Sequence, residues 1–143
     1  MTVESILEQK GRQVITISPA ESVKSAVDRM REHNVAALAV TACDTIVGVI
    51  SEREIARALS RHGADLATMK VKEILGRGFV AVSRNDSLKR VMTLMTRSRV
   101  RHVLVIELGK LVGIVSIGDV VKHRLDDLEL ERNVLRDAYI AAH

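Results

Sequence analysis

Aromatic side chains are almost missing from this chain: one Tyr, one Phe and no Trp among 143 residues. A hydrophobic core has to be built from Val, Ile, Leu, Ala and Met, and rows of rings for stacking single-stranded nucleic acid are not on offer. The lone cysteine, Cys43, cannot form an internal disulfide, and no Cys or His cluster at zinc spacing accompanies it. No metal site is expected. No apolar run approaches the ~18–20 residues that span a bilayer, and Met1-Thr-Val-Glu-Ser-Ile-Leu-Glu8 lacks a basic segment followed by a signal-like apolar core. The expected setting is the cytoplasm, without a membrane partner. Neither sign of charge dominates: 22 Lys+Arg against 18 Asp+Glu leave +4, with both signs interspersed. That balance suits a solvated surface or an anionic small ligand and gives no support to nucleic acid.

What the chain has instead is a duplication. Leu111-Val-Gly-Ile-Val-Ser-Ile-Gly-Asp-Val120 matches Ile46-Val-Gly-Val-Ile-Ser-Glu-Arg-Glu-Ile55, and a shift of 65 positions carries the match without a gap from Val14 over Phe79 to Leu59 over Arg124. A second, shorter echo sets Val71-Lys-Glu-Ile-Leu75 against Val3-Glu-Ser-Ile-Leu7 at a shift of 68. Three extra residues therefore sit in a connection.

Each copy reads as the same set of elements. The segment 3–10 has helical character and stops at Gly11; Val14-Ile-Thr-Ile17 is a short β-rich run ended by Ser18-Pro19. From Ser22 the apolar stripe Val23, Ala26, Val27, Met30 has helical spacing, as does Leu88, Val91, Met92, Met95. Strands follow at 37–41 and 102–106, polar turns at 43–45 and 107–110, and strands again at 46–50 and 111–115, each leading into a helix. The unit is β-α-β-β-α, an α/β (α+β) fold. One unit alone leaves a sheet face and its edges uncovered, so two should pair around a pseudo-twofold axis. The division by chain order is 1–68 with the N-terminal helix and 69–143 with an extended last helix. That helix, from Ile117 to about Ala141, carries Val121, Leu125, Leu128, Leu135 and Tyr139 on one stripe. Such length predicts packing on the N-terminal helix, on a second copy in a homodimer, or both.

The repeated unit, together with Gly-h-h-Ser-x-x-Asp at Gly113–Asp119 and Ser-Glu-Arg-Glu at 51–54, resembles the cystathionine β-synthase (CBS) domain, two of which in tandem form a Bateman module. The resemblance spans approximately 3–125 and is nearest to small bacterial proteins made of a CBS pair alone. It implies a regulatory module whose clefts between the repeats bind an adenosine-containing ligand such as AMP, ADP, ATP, NAD or S-adenosylmethionine, with no cofactor required, and it leaves open whether a further protein partner reads the signal. By resemblance, Asp119 and Ser116 face the ribose in one cleft, with Glu54 and Ser51 at the equivalent place in the other. Asp119 ranks first, because Glu54 replaces the usual Asp. Arg53, Arg99, Arg101 and His102 stand where family members place phosphate-binding groups. Thr16, Val35 and Ala36, and Ala81, Val100 and Ile114, stand at positions used for adenine. Where the family commonly has Pro, this chain has Leu104, which leaves a backbone N–H free to donate. The chemistry is coherent: a carboxylate accepts from vicinal hydroxyls, and a helix N-terminus favours an anion.

The same residues admit a structural reading. Ser51-x-x-Glu54 and Ser116-x-x-Asp119 are also capping boxes, and Ser18-x-x-Glu21 and Ser83-x-x-Asp86 share the spacing. An enzyme finds less support. No Gly-x-Ser-x-Gly elbow is present, His33, His62, His102, His123 and His143 show no ligand spacing, and Gly76-Arg-Gly78 precedes a strand and lacks the third glycine of a dinucleotide fingerprint. No catalytic residue is assigned.

Overall fold

The computed structural model describes residues 1–142; His143 lies outside the described residues. The elements are α1 (Val3–Lys10), β1 (Thr16–Ile17), α2 (Val23–His33), β2 (Ala37–Ala42), β3 (Thr45–Ser51), α3 (Glu52–His62), a 3-10 turn (Gly63–Thr68), α4 (Val71–Ile74), β4 (Ala81–Val82), α5 (Leu88–Ser98), β5 (His102–Glu107), β6 (Lys110–Ser116) and α6 (Ile117–Ala142). They build two three-stranded sheets, ordered β1-β2-β3 and β4-β5-β6. In each sheet the short first strand lies parallel to the second, and the second pairs antiparallel with the third.

Local chemistry accounts for the joints. Ser22 and Ser87 cap α2 and α5 by accepting from the N–H groups of Ser25 and Arg90, both at 3.1 Å. Of the four Ser-x-x-acid patterns, two start no helix: Glu21 and Asp86 instead accept from Ser18 N at 2.9 Å and Ser83 N at 2.8 Å, closing the turns ahead of those caps. The hairpins turn on Cys43-Asp44 (φ 49° and 64°) and Leu108-Gly109 (φ 51° and 76°). Positive φ at both central residues is the turn whose twist suits paired strands.

Packing departs from chain order. Val3, Ile6 and Leu7 of α1 are buried with Val82, Leu88, Val91, Met95, Val103, Val105, Val115 and Val120 of the second repeat. Conversely Val71, Ile74 and Leu75 pack with Ile17, Ala26, Met30, Leu38, Val40 and Ile50 of the first. Across the chain-order boundary at 68/69 the two repeats therefore exchange their leading helices. Hydrogen bonds register the exchange, with Val3 N donating to Asp86 O at 2.9 Å and Val71 N to Glu21 O at 2.9 Å. The cause is amphipathic need, because each short helix has one apolar face and the uncovered sheet within reach belongs to the other repeat.

This exchange also explains the glycine in the second copy of the motif. A Cβ on Gly113 would stand 2.6 Å from Leu7 Cδ2, whereas one on Gly48 would meet Leu75 at 3.9 Å. The α1 contact on β6 is the tighter of the two.

The last helix extends for 26 residues, and only Val120 and His123 on it are buried. Leu125, Leu128, Leu130, Val134, Leu135 and Ile140 are all exposed. Among the described residues no helix is long and apolar enough to cross a membrane.

Candidate functional site

A cavity of about 160 Å³ opens between the repeats. The first repeat contributes Ala36, Val49, Ser51, Glu52, Arg53 and Glu54, and the second contributes Gly78, Phe79, Val80 and the run Arg99–His102. The elements that deliver them are strand ends and helix starts. Ser51 ends β3 and Glu54 lies in the first turn of α3. Ser51 N donates to Glu54 Oε2 at 2.9 Å, and Ser51 Oγ hydrogen-bonds the same oxygen. The capping and ligand readings thus meet on one group, since the cap engages Oε2 and fixes where the carboxylate sits.

Across the cavity, Arg99 ends α5 in the left-handed region at φ 55°, the position that Asn34 holds at φ 52° in the other repeat. Asn accepts that conformation easily and Arg does so at a cost of about 1 kcal/mol. Arg99 O accepts from Arg53 Nη1 at 2.7 Å, which links the repeats. Among the described residues, neither Arg99 nor Arg101 forms an ion pair. The cavity therefore presents two guanidinium groups outside any ion pair, with the carboxylates of Glu52 and Glu54 on its other wall.

Leu104 N donates to Val80 O at 2.9 Å, the bond a proline there would forbid. It ties the Phe79-Val80 wall of the cavity to β5. His102 begins β5 opposite Ser116 of β6. Burial holds its imidazole below the usual histidine range; Lys10 acts in the same direction, while Glu54, Asp119 and Glu52 oppose it. The ring is the neutral form at pH 7 and can accept as well as donate.

The Asp119 side is built differently. Asp119 Oδ2 accepts from Ser116 N at 2.9 Å, and Asp119 N donates to Ser116 Oγ at 3.1 Å, a reciprocal cap. Lys10 Nζ then lies 2.7 Å from Asp119 Oδ2 and donates to Ile114 O at 2.8 Å. Burial, the largest influence, pushes the Asp119 carboxyl up, but the Lys10 ammonium and the Ser116 N–H and hydroxyl together hold it below the ordinary range.

The structure thus gathers Ser51, Arg53, Glu54, Ala36, Arg99, Val100, Arg101 and His102 at one cavity, which Ser116, Asp119, Ile114, Thr16, Val35 and Ala81 do not line. Thr16 and Ala81 are exposed strand residues, and Val35 packs on the first core. Sequence reading overlooked Val49, Glu52, Gly78, Phe79 and Val80. Strand alternation was the available signal, because Val80 and Ala81 are neighbours on opposite faces. Lys10 gave no signal at all, since its partners lie more than a hundred positions away.

Family comparison decides the fold's identity: the CBS domain pattern matches twice, over residues 3–61 and 71–126. The chain belongs to the CBS-domain family. As a CBS pair it is 29% identical over 125 residues to the CBS domain-containing protein YhcV of Bacillus subtilis (strain 168), covering 87% of this chain and 89% of that one. The CBS-domain containing protein of Agrobacterium tumefaciens superposes with TM-score 0.84 at 35% identity, over 87% of this chain and 99% of the other. A CBS domain protein of Pyrobaculum aerophilum, solved as a complex with AMP, superposes with TM-score 0.77 at 26% identity, over 92% and 99% of the two chains. The CBS pair is a known regulatory module.

Proposed function

We propose that this CBS pair is a cytoplasmic, non-enzymatic regulatory module that binds an adenosine-containing ligand, AMP, ATP or NAD among the candidates, in the cleft at Glu54. The observation that carries the reading is the convergence of a positioned carboxylate from one repeat with the unpaired guanidinium groups of Arg99 and Arg101 from the other. A ribose needs an acceptor for two hydroxyls, and its phosphate needs cations nearby; the cleft offers both across its width. Val49, Phe79, Val80 and Val100 supply apolar surface for the base, with Phe79, 39% exposed, able to stack on it. The AMP-bound relative from Pyrobaculum aerophilum supports the ligand class. Asp119, ranked first on sequence, moves to second place because its carboxylate is already engaged by Lys10.

Because the ligand touches both repeats, it favours one relative arrangement of them, and α6 is the element able to report that to a partner protein. We further propose a homodimer through the exposed apolar stripe of α6, since Leu125 at 60% and Leu128 at 44% exposure leave a face that a second copy of the helix would cover.

A thermal-shift panel with AMP, ADP, ATP, NAD, NADH and S-adenosylmethionine tests the ligand class. A true ligand at 100 times its Kd stabilises the fold by about 2.7 kcal/mol. No shift with any of the six contradicts the proposal.

A further inference from the structure

The duplication makes the two clefts comparable position by position. Shifting the cavity residues by 65 carries Val49, Ser51 and Glu54 onto Ile114, Ser116 and Asp119, and Arg101 and His102 onto Ala36 and Ala37. The second cleft is therefore the one at Asp119, and its acidic group already holds a cation. Lys10 Nζ sits 2.7 Å from Asp119 Oδ2 and 2.8 Å from Ile114 O, contacts of the length a donor hydroxyl of a ligand would make.

The lysine is not a loose surface charge. Leu7 and Lys10, three residues apart, lie on one face of α1. Leu7 is 1% exposed and wedged on Gly113 of β6, so the next turn of the helix delivers Lys10 to Ile114, the residue after that glycine. Gly11 ends the helix at φ 92°, its N–H bonded to Leu7 O at 2.9 Å, which stops the chain directly after the lysine. The other cleft supplies the internal control. Leu75, the counterpart of Leu7, packs on Gly48, and three residues further on, where the shift of 68 places the equivalent of Lys10, stands Gly78. Gly78 lines the open cavity. One cleft receives an ammonium group and the other receives a hydrogen atom.

We infer that Lys10 is a built-in latch that seats on Asp119 in place of a ligand's hydroxyls, so that the pair binds one adenosine ligand, in the Glu54 cleft, with the second cleft held shut. This rests on the adenosine reading above for the identity of the ligand, but not for the latch itself. A competing contact within the chain lowers the apparent affinity of the site it occupies, which scales with the fraction of time the contact is open.

The test is calorimetric titration of AMP into the full chain and into Lys10→Ala. Lys10 is exposed on the helix surface, and its replacement leaves the Leu7 wedge in place. About one AMP per wild-type chain and about two per Lys10→Ala chain are expected, the second lost again when Asp119→Ala is added. Two AMP in the wild type, or still one in Lys10→Ala, overturns the latch. Silence from both proteins contradicts the adenosine reading, and the latch is then read from the carboxyl carbon of Asp119 followed by NMR against pH. A titration midpoint that rises in Lys10→Ala supports it, and an unmoved midpoint overturns it.

Discussion

Two glycines at equivalent places carry different burdens. Gly113 admits Leu7 with no room for a Cβ, while Gly48 leaves Leu75 at ordinary contact distance. Gly113→Ala should therefore destabilise the fold by about 1–3 kcal/mol, the usual cost of overpacking a closed site, and Gly48→Ala should cost clearly less. Urea unfolding of both variants checks this, and equal losses would show that α1 is not the tighter wedge. At this scale the sequence was only partly legible. The Ser-x-x-acid patterns at 51–54 and 116–119 stood out as candidates, because the duplication repeats them. Sequence reading ranked Asp119 first on the family's usual Asp and gave no sign of Lys10, which enters from α1 with a register three residues away from that of the main repeat. Arg99 was legible as a basic residue, whereas its left-handed backbone, shared with Asn34, shows only in three dimensions.

Secondary structure was the most legible level, since each segment was read twice and the two readings had to agree. The stripes of α2 and α5 and the four long strands follow from side-chain period, whereas the caps at Ser22 and Ser87 show only in the structure. The partner of α1 did not follow, because an amphipathic stripe states that a helix has an apolar face and not which sheet receives it. The exchange makes a directional prediction. Ile6→Ala, at a site 1% exposed, should cost about 2–5 kcal/mol. Its loss of amide-exchange protection should concentrate in β4, β5 and β6, although β1 is nearer in sequence. The mirror variant Leu75→Ala should loosen β1, β2 and β3. Protection lost first in the sheet adjacent in sequence would contradict the exchanged packing.

As a whole molecule, the CBS pair is two small cores with a shared cavity and a helix that outruns both. The exposed stripe on α6 predicts a dimer in solution, measured by light scattering after size exclusion. Leu125→Glu combined with Leu128→Glu should yield a folded monomer whose melting temperature no longer depends on protein concentration, while a wild-type monomer at micromolar concentration would remove the helix from any role in self-association. Adenosine binding is proposed for the cleft at Glu54. Its most direct test is the affinity for AMP, by calorimetry, of the wild type, Glu54→Ala and Asp119→Ala. A charged hydrogen bond to the ribose is worth about 1.5–3 kcal/mol, so Glu54→Ala should weaken binding by roughly 10- to 150-fold. Asp119→Ala should leave it within a few-fold of wild type. Binding that survives Glu54→Ala and collapses with Asp119→Ala would contradict the account.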